Sequence, residues 1–136
     1  MSFVLDCSIT LAWVYADEAT DSVTRVFDLL RQEGAWVPGL WRLEVANALE
    51  MGVRRGRVNA AFRDAVLADL THFPIQVDPE TDLRAWGTTL ELAERHRLTL
   101  YDASYLELAT RRKLAMATLD RELRRAAQGE QVRLIL

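Results

Sequence analysis

Four acidic side chains in this sequence stand where an ordinary solvated carboxylate is not expected. Asp6 closes the apolar run Phe3-Val-Leu, and Asp120 closes a second run, Leu114 to Leu119. If both runs are central parallel strands, the two carboxylates emerge at the same edge of a sheet. Glu44 has Leu40, Ala48 and Met51 as its i−4, i+4 and i+7 neighbours, which draws it toward the apolar stripe of a helix. Asp102 opens a helix whose i+4 and i+7 positions are Leu106 and Ala109, again an inward-facing row. A lone ionised carboxylate is costly there.

Taken singly, each acid has a structural use. Thr99-Leu-Tyr-Asp102 matches a capping box, Asp120 can N-cap a final helix, Glu44 suits the positive end of its own helix dipole, and Asp6 can simply end a strand. Taken together they favour chemistry. Clustered carboxylates repel and raise one another's pKa values, so a convergent set makes physical sense chiefly when a divalent cation neutralises it. His72, His96 and Cys7 lack zinc-ligand spacing, and oxygen-only ligands suit Mg²⁺ or Mn²⁺.

The elements that would position these acids alternate along the chain. Strands are expected at Phe3 to Leu5, Ala35 to Val37, Ile75 to Val77, Leu114 to Leu119 and Val132 to Leu136. Helices are expected from Ser8, across Val23 to Leu30 ending at Gly34, from Leu40 to Arg55 with Gly56 as C-cap, and from an Asn59 cap through Leu70. Further helices should run from Thr81 or Asp82 through Ala93, from Asp102 to Arg112, and from Asp120 to Gln128. Parallel strands need crossover connections, so this alternation predicts an α/β fold with helices on both faces of a parallel sheet of about five strands. Ligands of such sheets bind beyond the carboxyl ends of the strands, where Asp6 and Asp120 would lie.

The chain has 136 residues, of which half are hydrophobic and 27% charged, the profile of one folded domain spanning 1–136. A single cysteine cannot form an internal disulfide, and no apolar run reaches the ~20 residues of a membrane span. A reducing cytoplasm is the expected compartment, with no membrane partner. Formal net charge is −3, so the chain as a whole is no polycation for nucleic acid. Any such binding would lean on local arginines, with Arg54, Arg55, Arg57 and the Arg111-Arg112-Lys113 run as candidates. The four tryptophans, Trp13, Trp36, Trp41 and Trp86, are expected mainly in the core.

Four blocks in order make the sequence recognisable: Val4-Leu-Asp6-Cys-Ser8, Trp41-Arg-Leu-Glu44-Val-Ala-Asn47-Ala-Leu49, Leu100-Tyr-Asp102-Ala-Ser-Tyr-Leu-Glu-Leu-Ala109 and Ala117-Thr118-Leu-Asp120-Arg-Glu-Leu123. Over essentially its whole length the chain resembles PIN-domain nucleases, most of all the VapC-type toxins of prokaryotic toxin–antitoxin pairs. The resemblance implies a three-layer α/β fold and a Mg²⁺- or Mn²⁺-dependent endoribonuclease with an antitoxin protein as partner and a homodimeric assembly. Its catalytic and metal-holding carboxylates map onto Asp6, Glu44, Asp102 and Asp120, with Ser8, Asn47 and Thr118 in support. Glu44 is then either a metal ligand or the acceptor of a proton from the attacking water. The resemblance also places Trp13 and Trp41 near the groove where an antitoxin peptide docks. Relatives often carry a further acid near the third or beside the fourth; here Leu119 and Arg121 flank Asp120, which leaves one or two metal ions open.

Two other functions fit such a scaffold: a Mg²⁺-binding phospho-acceptor signalling domain, and a catalytically inactive PIN-like binding module. The first also needs a lysine closing a late strand, whereas Lys113, the only lysine, precedes the fourth.

Overall fold

The computed structural model describes residues 1–136. Its strands are β1 (Phe3–Leu5), β2 (Ala35–Val37), β3 (Ile75–Val77) and β4 (Ala115–Ala117). Its helices are α1 (Cys7–Val14), α2 (Asp21–Glu33), α3 (Trp41–Arg54), α4 (Ala60–Leu70), α5 (Thr81–Arg84), α6 (Thr88–His96), α7 (Leu100–Arg112) and α8 (Arg121–Gly129). All pairings are parallel, in the order β3-β2-β1-β4. The chain steps outward from β1 to β3, then returns through α7 to lay β4 on the other side of β1. That reversal of direction puts the topological switch point at β1.

Short apolar strands bury the middle of the sheet, while the edge strand β3 stays largely exposed at Gln76 and Val77. Phe3, Val4 and Leu5 are wholly inaccessible, as are Met116 and Ala117 beside them. Helices α1 to α4 pack on one another as one group, and α6, α7 and α8 as a second group whose α7 also touches β1. Local signals set the helix starts: Thr20 accepts from the Val23 amide at 3.2 Å and Asn59 from the Phe62 amide at 2.8 Å. Gly34 follows α2 with φ 75°, a backbone that favours glycine. No helix is long and apolar enough to cross a membrane.

Two elements differ from the sequence-based expectation. The fifth strand is reduced to one bridge, Met116 with Leu134, where the Met116 amide donates to the Arg133 carbonyl at 2.9 Å and the Ile135 amide to the Met116 carbonyl at 2.9 Å. The helix expected through 81–93 is two helices, because Gly87 takes a non-helical backbone at φ −112°, ψ −110°. Leu83 in α5, Leu90 in α6 and Trp86 between them are exposed, and Trp86, expected in the core with the other tryptophans, is 92% accessible. Periodicity does not say whether a face is covered.

Candidate active site at the carboxyl edge of the sheet

The site begins with strand register. Leu5 pairs with Ala117, so the residues that follow, Asp6 and Thr118, leave β1 and β4 side by side. The Asp6 amide donates to the Ala117 carbonyl at 3.1 Å, which extends the ladder by one rung and fixes the carboxylate over the strand ends. Asp6 is buried, and its Oδ2 accepts from the Ser8 hydroxyl at 2.6 Å and from the Thr118 hydroxyl at 2.7 Å. Those hydroxyls accept in turn: Ser8 from the Leu119 amide at 3.0 Å, Thr118 from the Asp120 amide at 3.0 Å. Arg124 closes the lattice by donating to the Thr118 carbonyl at 3.0 Å. Two side chains expected only as support therefore bind the Asp6 loop to the Asp120 loop.

The other acids arrive on helices. Asp102 sits in the first turn of α7, whose N-cap Thr99 accepts from the Asp102 amide at 3.1 Å. Glu44 sits in the first turn of α3, and its Oε1 accepts from the Tyr105 phenol at 2.5 Å. Asp120 occupies the N-cap position of α8, yet its side chain makes no capping bond, so capping alone does not account for it. Asn47 lies one turn beyond Glu44 on α3, exposed and without a side-chain hydrogen bond.

Burial and mutual charge act in the same direction on three of the acids. Burial pushes Asp6 above the usual carboxylate range, with the Asp120 charge adding to it and the Ser8 and Thr118 hydroxyls offsetting part. Burial raises Glu44 too, reinforced by Asp6 and Asp102 and opposed by the Tyr105 bond. Burial, then Asp120 and Asp6, raise Asp102. Asp6, Glu44 and Asp102 thus each feel the charge of at least one other acid of the set.

None of the four has a cationic partner. Every other acid withdrawn from solvent is paired with arginine: Glu50 with Arg54 and Arg63, Asp78 with Arg111 and Arg112, Glu80 with Arg84, Glu107 with Arg111, and Glu130 with Arg95. Acids that lack an arginine and are also drawn out of solvent are found at 6, 44, 102 and 120 alone. The side chains are not drawn into ligand geometry about a common point, since no group of three His, Cys, Asp or Glu is arranged to hold an ion. The donor set nevertheless fits a hard divalent cation, being all carboxylate oxygen with uncompensated negative charge.

A family model, described as the PIN domain, matches residues 3–129. The chain belongs to the PIN domain family. Ribonuclease VapC3 of Pyrobaculum aerophilum is 28% identical over 123 residues, which cover 90% of this chain and 92% of that protein. Among solved structures, PAE2754 from Pyrobaculum aerophilum superposes with a TM-score of 0.67 at 25% identity, covering 99% of this chain and 84% of that one. FitAcB from Neisseria gonorrhoeae superposes with a TM-score of 0.68 at 16% identity, covering 97% of this chain and 95% of that one, a likeness of fold. Membership in the PIN family and likeness to a named ribonuclease together support a nuclease.

Sequence reasoning mistook part of the site's surroundings. The Arg111-Arg112-Lys113 run is no free basic patch: Arg111 bonds Asp78 at 2.6 Å and Glu107 at 2.7 Å, while Arg112 bonds Asp78 at 3.2 Å and stacks 3.6 Å over the Trp36 ring. Arg57 is likewise occupied, by Asp17, Glu18 and the Tyr15 ring, and Arg54 by Glu50. Arg55 has no acidic partner. Two of the tryptophans expected mainly in the core are packed there, Trp41 at 5% exposure and Trp13 stacked on Phe27 with ring centroids 4.3 Å apart, whereas Trp86 is exposed. The residue overlooked was Tyr105, which reads in sequence as one more apolar position of α7.

Proposed function

We propose that this PIN domain is a Mg²⁺- or Mn²⁺-dependent endoribonuclease, the toxin of a toxin–antitoxin pair acting in the cytoplasm. The observation that carries the reading is the set of withdrawn acids at 6, 44, 102 and 120 that no arginine neutralises. A bound divalent cation would screen the phosphodiester's charge and lower the pKa of a coordinated water. Asp6, Asp102 and Asp120 would hold it, and Glu44 would either join them or accept the proton of the attacking water. Ser8 and Thr118 hold Asp6 in one orientation, so that carboxylate is ordered before any ligand arrives. Asn47, one turn from Glu44 and open to solvent, is assigned to the substrate side of the pocket.

The named ribonuclease relative supports an RNA substrate and, through its VapC name, an antitoxin partner. We assign the antitoxin to the apolar groove between α3 and α4, lined by Trp41, Val45, Leu67, Leu70, Phe73 and Ile75. The same reading brings a second copy of the chain, for which the exposed Leu83, Trp86 and Leu90 supply an apolar face.

The deciding measurement compares Asp6→Asn and Asp120→Asn with the parent on RNA at matched Mg²⁺. Each substitution is expected to slow cleavage at least about a hundredfold while leaving the fold intact. Cleavage at the parent's rate by either variant defeats the assignment.

A further inference from the structure

We propose that Tyr105 is a positioning residue for Glu44, an inference that rests on the metal-dependent nuclease reading. Tyr105 lies one turn after Asp102 on α7, so one helix carries both an acid of the set and the phenol. The ring is fully buried in the core, and its hydroxyl has one partner, Glu44 Oε1 at 2.5 Å. Glu44 comes from a different element, α3, and is half-buried without any arginine. The phenol is also the only group that fixes this carboxylate.

Glu44 needs such a restraint. Its side chain has three rotatable bonds, and the like charges of Asp6 and Asp102 push it outward toward water. One neutral donor, locked by packing, opposes that drift without adding a positive charge that would compete with a cation. Because the bond engages Oε1, Oε2 stays free of protein partners, available to ligate or to accept a proton. A buried tyrosine hydroxyl finds a partner in most proteins. This one ends on the sole glutamate among the four pocket acids, the longest and most mobile of them.

Tyr105→Phe removes one oxygen and keeps the ring, and water can reach half-buried Glu44, so the variant is expected to fold. The readouts are Mn²⁺ binding by calorimetry on purified protein, and kcat and KM on RNA. Expected is either a roughly tenfold weaker Mn²⁺ affinity, or a roughly tenfold lower kcat at unchanged Mn²⁺ affinity, with RNA KM within about twofold of the parent in both cases. The first outcome makes Glu44 a ligand and the second a proton acceptor; both support the role. In a Glu44→Gln background Tyr105→Phe should weaken Mn²⁺ binding no further. The proposal is overturned if Tyr105→Phe matches the parent in both affinity and kcat, or if it weakens Mn²⁺ equally in the Glu44→Gln background. A parent that binds no Mn²⁺ overturns the metal-site reading, and the positioning role with it.

Discussion

At the scale of single residues, the pocket stores repulsion. Asp102 is raised by burial and by Asp120 and Asp6, so its charged form is disfavoured in the folded chain relative to the unfolded one. A carboxylate raised in this way costs no stability below its unfolded pKa and destabilises increasingly as pH rises through the folded value. Asp102→Asn should therefore raise the melting temperature of the metal-free protein at pH 7. Solvent screens a half-exposed group, so the gain is set at roughly 2–4 °C, near 1 kcal/mol or less. It should vanish below about pH 4, where the parent's carboxyl is protonated in both states. Differential scanning calorimetry across pH checks this, and a variant that melts below the parent at neutral pH contradicts the repulsion argument. Saturating Mn²⁺ should reverse the ranking, stabilising the parent and leaving the variant behind. These acids were legible in the sequence because each interrupts an apolar pattern. Tyr105 was not, since a tyrosine in an apolar row looks like packing and its partner is 61 positions away.

At the scale of elements, α7 joins two electrostatic regimes. Its first turn carries Asp102 into the uncompensated pocket, while its last turn carries Arg111 and Arg112 into a compensated cluster with Asp78 and Glu107. Burial works against the Asp78 charge, but the two guanidiniums outweigh it and hold the carboxyl below its ordinary range. Removing one partner from a buried pair strands the other charge. Arg111→Ala should accordingly cost about 3–5 kcal/mol in urea unfolding, whereas a surface-pair variant such as Arg31→Ala should cost well under ~1 kcal/mol. Equal losses from the two would mean that the cluster is ordinary surface. Arg111 and Arg112 read in sequence as part of a basic run, because nothing local in the chain announces that Asp78 will fold over them. The order of strands and helices was legible for a related reason: it depends on patterns within a few residues, whereas the lost fifth strand depends on how far residues 132–136 can follow β4.

At the scale of the whole molecule, the negative net charge argues against general affinity for a polyanion. Leu83, Trp86 and Leu90 are exposed apolar side chains that the second copy proposed above would cover. Light scattering after size exclusion should find the parent as a dimer at micromolar concentration and Trp86→Glu as a monomer with an unchanged melting temperature. A monomeric parent contradicts the assembly. The sequence reading places Trp86 in the core, yet which residues meet solvent is decided by packing between distant elements.

The division of labour along α7 has a consequence for heredity. The acids at 6, 44, 102 and 120 contribute no ion pair to the fold, whereas the arginine-paired cluster sits at the other end of α7. Mutations that disarm the protein by neutralising its pocket should leave a well-formed molecule with its docking surfaces intact. If the nuclease and partner readings proposed above hold, such a copy, made alongside an active one, would compete for the same binding proteins, so a disarmed allele would be a participant in the cell rather than a silent gap.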